Sequence, residues 1–175
     1  MAKEVNLFFK DYLFKGIQRD QSVALSDFEI ESNSNLKIFN STVELFMVAA
    51  LVGCYHGKRV KADKGETRRI MSEQLMSRYN DLMFIYQLVM LANDAIAENT
   101  EKVNNAFRYT DKNENWDLFE EYVLGGLQIL YDNFFPEKDS QAKSSYDDYF
   151  DRLYELLTEF KENDIKEEEL IDILD

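Results

Sequence analysis

The sequence predicts an all-α fold, a single compact domain of about five to seven helices packed on one core. Three observations predict it. The 175 residues include only 1 Pro and 6 Gly, too few for the many tight turns of an all-β fold. Apolar residues recur mostly at spacings of three and four, the period of a helix face. The hydrophobic fraction is 45%, with 13 Phe and 10 Tyr, enough to fill a core and against disorder. The length suits one domain. It is taken as residues 1–160, followed at 161–175 by an acidic C-terminal tail or short docking helix.

In order along the chain, residues 4–18 carry Leu7, Phe8, Tyr12, Leu13 and Phe14 as an aromatic stripe. The expectation is a short helix closing over the core, or a docking element for a partner, ending at Gly16. Residues 27–39 switch to a period of two, with Phe28, Ile30, Leu36 and Ile38 around a Ser-Asn-Ser-Asn run. That pattern predicts a small β-hairpin, or else an irregular loop.

Residues 41–56 form the central helix. Asn40 and Ser41 are good N-caps, and Val43 to Cys54 contains only one charge, Glu44. A helix apolar on nearly every side has to be wrapped by others. It is too short to span a bilayer, which takes about 20 apolar residues. Gly53 and Gly57 bracket its end. A basic loop follows at once: Lys58, Arg59, Lys61, Lys64, Arg68 and Arg69 against Asp63 and Glu66, six cations to two acids and a net +4.

Residues 70–79 read as a helix or a separate turn broken near Asn80. Residues 81–95 form a second buried helix, in which Met83 and Met90, with Met76 before them, share one face as adaptable core filler. A short amphipathic turn or helix is expected within 97–110. Residues 116–135 make a long amphipathic helix with Gly125-Gly126 at its middle. Each Gly there costs about 1 kcal/mol relative to Ala, so another backbone must come close, first the central helix, or the helix must kink. Pro136 ends it, and residues 140–161 supply the last long helix. The tail carries seven acids against two lysines, with Leu170, Ile173 and Leu174 at helical spacing. They suit a short helix laid in a partner's groove, or a frayed polar end.

The chemistry is sparse. Net charge is −14, so the body repels DNA and anionic lipid at long range, and direct DNA contact is left to the basic loop 58–69. That loop's six cations could meet an acidic protein surface, this chain's own acids, or phosphates. One Cys and one His exclude an internal disulfide and a Cys-based zinc site. Cys54 and His56 are two apart and point to different sides of a helix, so they cannot pair without an irregular turn, and a core cysteine beside a capping or solvated histidine is the better reading. Glu120, Glu121, Asp147 and Asp148 are the nearest carboxylates to a metal set and read as solvated helix surface. No phosphate loop or nucleophile elbow appears. The expectation is no enzyme, with no catalytic, cofactor-binding or metal residues and no small-molecule substrate. Without an apolar leader or spanning segment, the chain reads as soluble and cytoplasmic, with no membrane partner.

Three segments resemble a family of small bacterial antiphage accessory proteins, the DNA-phosphorothioation (Dnd) system-associated protein 4 type. Glu44-Leu-Phe-Met-Val-Ala-Ala50 running into Gly53-Cys-Tyr-His-Gly-Lys-Arg59 is similar to that family's phe-met-x-ala-ala followed by gly-x-x-x-gly-lys-arg. The buried helix at 81–93 is the second segment. The third, Phe119-Glu-Glu-Tyr-Val-Leu-Gly-Gly-Leu-Gln-Ile-Leu-Tyr131, is similar to glu-glu-tyr-ala-x-gly-gly. The glycines carry much of the likeness, which spans residues 40–135. It implies a non-catalytic accessory or scaffolding subunit of a defence complex, in contact with an SMC-like ATPase, a nuclease, or both. The resemblance leaves open which system, a Lamassu-type complex of an SMC-like ATPase and a nuclease being one alternative. The competing expectation is a phage-encoded acidic inhibitor that imitates DNA and blocks a host nucleic-acid-binding defence enzyme, which the net charge motivates.

Overall fold

A computed structural model of the chain describes residues 8–27, 37–108 and 114–135, together with 151, 152, 154, 155 and 158. The elements are β1 (Tyr12–Lys15), α1 (Ile17–Asp27), α2 (Thr42–Tyr55), β2 (Thr67–Ile70), α3 (Ser72–Ser77), α4 (Tyr79–Leu91), α5 (Asp94–Ala97), α6 (Thr100–Arg108) and α7 (Glu114–Phe134). Residues 151, 152, 154, 155 and 158 are also helical, within the span expected for the last helix. The fold is mostly α, as the composition and periodicity predict, and among the described residues it has one small antiparallel strand pair, β1 with β2. Among the described residues no helix is long and apolar enough to cross a membrane.

The α2 helix starts where its caps place it. Ser41 Oγ accepts from Glu44 N at 3.1 Å, and Glu44 Oε2 accepts from Asn40 N at 3.0 Å. From there α2 runs along α7, its main packing partner. Glycines make that closeness possible. A Cβ at Gly126 would land on the Ala49 carbonyl oxygen and 2.6 Å from Gly53 N. One at Gly53 would land on the Tyr122 carbonyl oxygen and 2.8 Å from Gly126 N. Backbone therefore lies on backbone at the crossing, and the expected close approach at Gly125-Gly126 is present. No kink is needed to account for the pair.

Aromatic rings spread outward from this crossing. Phe46 of α2 meets Tyr12 at 4.8 Å and Phe119 of α7 at 5.9 Å between ring centroids, and Tyr86 of α4 meets Phe119 at 5.2 Å. Most meet edge-on or tilted, the geometry the ring quadrupole favours. Met83 and Met90 are buried in the same core.

Two segments differ from expectation. The aromatic stripe expected as a helix over 4–18 is not helical from Phe8 to Gly16, and a helix begins only at Ile17. Tyr12–Lys15 is a strand with alternating burial, Tyr12 and Phe14 inward and Leu13 and Lys15 outward. The run Tyr-Leu-Phe-Lys fits either period over four residues, and pairing to β2 decides for two. Phe8, Tyr12 and Phe14 are core, as the closing-element reading requires, whereas Phe9 and Leu13 are exposed. β2, in turn, occupies the end of the basic loop and the expected start of a helix. The register is Tyr12↔Ile70, Leu13↔Arg69, Phe14↔Arg68 and Lys15↔Thr67. The small strand pair thus joins residues far apart in sequence. Residues 28–36, the body of the hairpin expected at 27–39, lie outside the described residues.

Helix α1 gave no apolar signal because its inward face is largely polar: Gln18, Gln21, Ser22 and Ser26 are buried beside Leu25. Ser22 and Ser26 satisfy their hydroxyls on carbonyls one turn back, Arg19 O and Ser22 O, each at 2.8 Å.

Candidate functional site in the basic strap

Residues 56–71 leave α2, cross the N-terminus of α1 and enter β2. The strap is held along its length. Gly57 takes φ 61 at the turn, a left-handed conformation cheap only for Gly. Lys58 N then donates to Gly53 O at 2.9 Å. The Lys58 carbonyl lies against Gly125, where any Cβ would collide with it. Gly125 thus serves the strap and Gly126 the helix crossing.

Glu121 of α7 fastens the next residues. Its carbonyl accepts from Val60 N at 3.0 Å, and its Oε2 accepts from Arg59 Nε at 2.8 Å and from Nη2 of the same guanidinium. Buried Gln18 takes over beyond: its Nε2 donates to Lys61 O at 3.2 Å, and its Oε1 accepts from Asp63 N at 2.9 Å. One side-chain amide thereby pairs with the strap as a strand neighbour would. Asp63 Oδ2 accepts from Ile17 N at 3.0 Å and its Oδ1 from Lys64 N at 2.7 Å. These backbone donors hold the Asp63 carboxyl below its ordinary value of 3.8, since they favour the charged form. Gly16, at φ 54, donates from its N to Glu66 O at 2.9 Å.

Arg68 ties three elements together. Its guanidinium donates to Ser22 O at 3.0 Å and Asp27 Oδ1 at 2.7 Å on α1, and to Thr42 Oγ1 at 3.1 Å on α2. Arg69 lies 3.5 Å from Asp11, whose other oxygen accepts from Ser72 N at 2.8 Å at the start of α3.

The six cations singled out in the sequence therefore divide by residue type. Arg59, Arg68 and Arg69 are paired to this chain's own acids. Lys58, Lys61 and Lys64 have no ion pair among the described residues; Lys61 and Lys64 are exposed and Lys58 is half-buried. The planar, many-donor guanidinium suits fixed multidentate docking, while an ammonium on a flexible stem stays solvated. Leu170, Ile173 and Leu174 lie outside the described residues.

Sequence reasoning missed one feature beside the strap. The Tyr12 hydroxyl is buried and faces Glu120 without closing a hydrogen bond of ordinary geometry. Glu120 is pushed above its usual 4.5, first by burial, then by Asp117 and Glu121; Tyr12 and Lys15 oppose the shift. Burial holds the Tyr12 phenol well above its usual 10.0. A Tyr at an inward strand position opposite a Glu was the available signal, hidden because the strand was read as a helix. Cys54 is half-buried, with Sγ 4.0 Å from Val89 O and its thiol pushed up by burial. His56 caps α2, donating from its N to Val52 O at 3.1 Å. Asp147 and Asp148 lie outside the described residues.

These observations define a class: a small helical domain built on a glycine-lined helix crossing, with a basic strap docked over it by arginines. Residues 17–174 match the family described as DNA sulphur modification system-associated protein 4, and the chain belongs to that family. The match reaches beyond the quoted motifs on both sides. Searches of curated proteins and of solved structures returned no match.

Proposed function

We propose that the protein is a non-catalytic accessory subunit of a bacterial antiphage defence complex, where it holds an SMC-like ATPase, a nuclease, or both. Membership of a family associated with DNA sulphur modification systems carries this reading. Lamassu-type complexes are one setting in which such a subunit would work.

The contact surface we assign is the lysine side of the strap, Lys58, Lys61 and Lys64, with Leu170, Ile173 and Leu174 of the tail as a second, independent contact. The strap supports it physically. Backbone and arginine pairs fix its path, so the lysines are presented at low entropic cost. Rim charges of this kind set orientation and association rate more than affinity. No group of this chain is assigned a chemical step.

The test is co-purification of the tagged protein with the products of its neighbouring genes. Triple reversal of Lys58, Lys61 and Lys64 to Glu, or truncation after Phe160, should each weaken assembly, and the charge effect should be larger at low salt. Full assembly of both variants would reject this surface. Capture of a host nucleic-acid-binding enzyme in place of the neighbouring products would favour the acidic DNA-mimic reading.

A further inference from the structure

We propose that the outward face of α4 is a docking surface for a basic amphipathic helix of a partner protein. It does not depend on the strap contact proposed above.

The sequence of α4 is apolar almost all round, which predicts a helix wrapped on every side. Among the described residues the fold covers only one side. Leu82, Met83, Tyr86, Val89 and Met90 are buried, while Phe84 is 66% exposed and Leu88 and Leu91 are 45% exposed each. These three fall at i, i+4 and i+7, one continuous stripe along the helix. Helix α2 packs beside α4. Cys54 of α2 approaches the Val89 carbonyl, and Leu51, one turn from Cys54, is also exposed. Singly exposed apolar residues are ordinary, but a stripe of this kind marks an interaction surface. Its i, i+4, i+7 spacing is the complement of an apolar helix face.

Charge selects the occupant. From Tyr79 to Glu101 there is no lysine or arginine. Asp81 is already paired with Arg78, at 2.7 Å. Asp94, Glu98 and Glu101, beyond the end of the stripe, are exposed and have no ion pair among the described residues. The last turn of α4 has no basic residue, although its carbonyls leave a partial negative charge there. The stripe therefore runs into net negative charge, three acids against the single Lys102. A partner helix with leucine-like residues on one side and lysine or arginine flanking them satisfies both features. The tail at 161–175, with seven acids and two lysines, carries the wrong charge. A second copy brings the same cation-free stretch. Nucleic acid and anionic membrane are repelled.

The experiment titrates the full chain against two synthetic helical peptides of about 18 residues, five turns in length. One has leucine on one face and lysine elsewhere, and the other has glutamate in place of lysine. The expected result at near-physiological salt is binding of the lysine peptide and not of the glutamate peptide. The double variant Phe84→Ser, Leu88→Ser keeps every charge and should weaken binding by about tenfold or more. Leu91→Gln, a milder change, should weaken it in the same direction. Asp94→Asn with Glu98→Gln should weaken it and flatten its salt dependence. Because these side chains are exposed, the variants should melt with the parent. Equal binding by the Ser variant and Leu91→Gln would reduce the interaction to non-specific charge and overturn the proposal. So would a dimer of the parent in sedimentation that the Ser variant dissolves, which would make a second copy the occupant. Preference for the glutamate peptide, or no binding of the lysine peptide, would also overturn it.

Discussion

The crossing of α2 and α7 and the strap laid over it are neighbours, yet they are held by different physics. At the crossing, Gly53 and Gly126 put backbone against backbone, surrounded by buried Phe46, Phe119, Leu45 and Leu127. There is no room to give, and close packing makes any added volume felt. Along the strap, hydrogen bonds and ion pairs are numerous but mostly exposed, and Arg59 is half in water. Such contacts contribute little each. The crossing thus specifies the fold, and the strap is fastened by many small interactions that can be released one at a time.

The sharpest way to break the contrast is at Gly126. An added methyl meets the Ala49 carbonyl and Gly53 N, both backbone, so Gly126→Ala should destabilise by about 2–3 kcal/mol through overpacking. For a domain of this length that lowers the melting temperature by about 5–10 °C. An unchanged melting temperature would mean the helices can separate freely. Arg68→Ala comes next. It strips charge-assisted bonds from Ser22 O, Thr42 and Asp27 at a guanidinium only 21% exposed, for a loss of about 1–2 kcal/mol by chemical denaturation. Arg59→Ala at the exposed end should cost about 0.2–1 kcal/mol, shrinking in high salt.

Two carboxylates sharpen the comparison through pH. Glu120 titrates above 4.5 in the fold. Its stabilising contribution is therefore complete below the unfolded value and is lost as pH rises through the raised one. Glu120→Gln should raise the melting temperature at neutral pH, with the advantage vanishing in acid. Asp63 is shifted the other way: its contribution is present above 3.8 and lost as pH falls through the lowered value. Asp63→Asn should loosen the strap at neutral pH, seen as faster exchange of the Ile17 amide, and the difference from the parent should close in acid.

Much of the crossing was legible in the sequence. A helix apolar all round and a Gly-Gly pair inside an amphipathic one together require a close backbone neighbour, and α2 and α7 are those partners. The strap was legible only as a run of charge. Nothing in Lys58 to Arg69 tells which cations find acids, because Asp27, Asp11 and Glu121 come from three separate places in the chain. β1 was misread because four residues cannot distinguish a strand from a turn of helix until β2 is beside them. α1 was missed because Gln18 and Ser22 are buried for hydrogen bonding, against the usual preference. In each case the deciding contact was long-range.

Native-state hydrogen exchange tests the separation of crossing and strap most directly. The Gly126 amide, deep in the helix crossing, should exchange only through global unfolding. The Val60, Asp63 and Gly16 amides, bonded to Glu121 O, Gln18 Oε1 and Glu66 O, should exchange through a cheaper local opening. Gly126→Ala should speed the Gly53 amide, which also exchanges through global unfolding, and leave the Val60 amide unchanged. If strap and crossing exchange with one free energy and the substitution accelerates both equally, they form a single cooperative unit and the account is wrong.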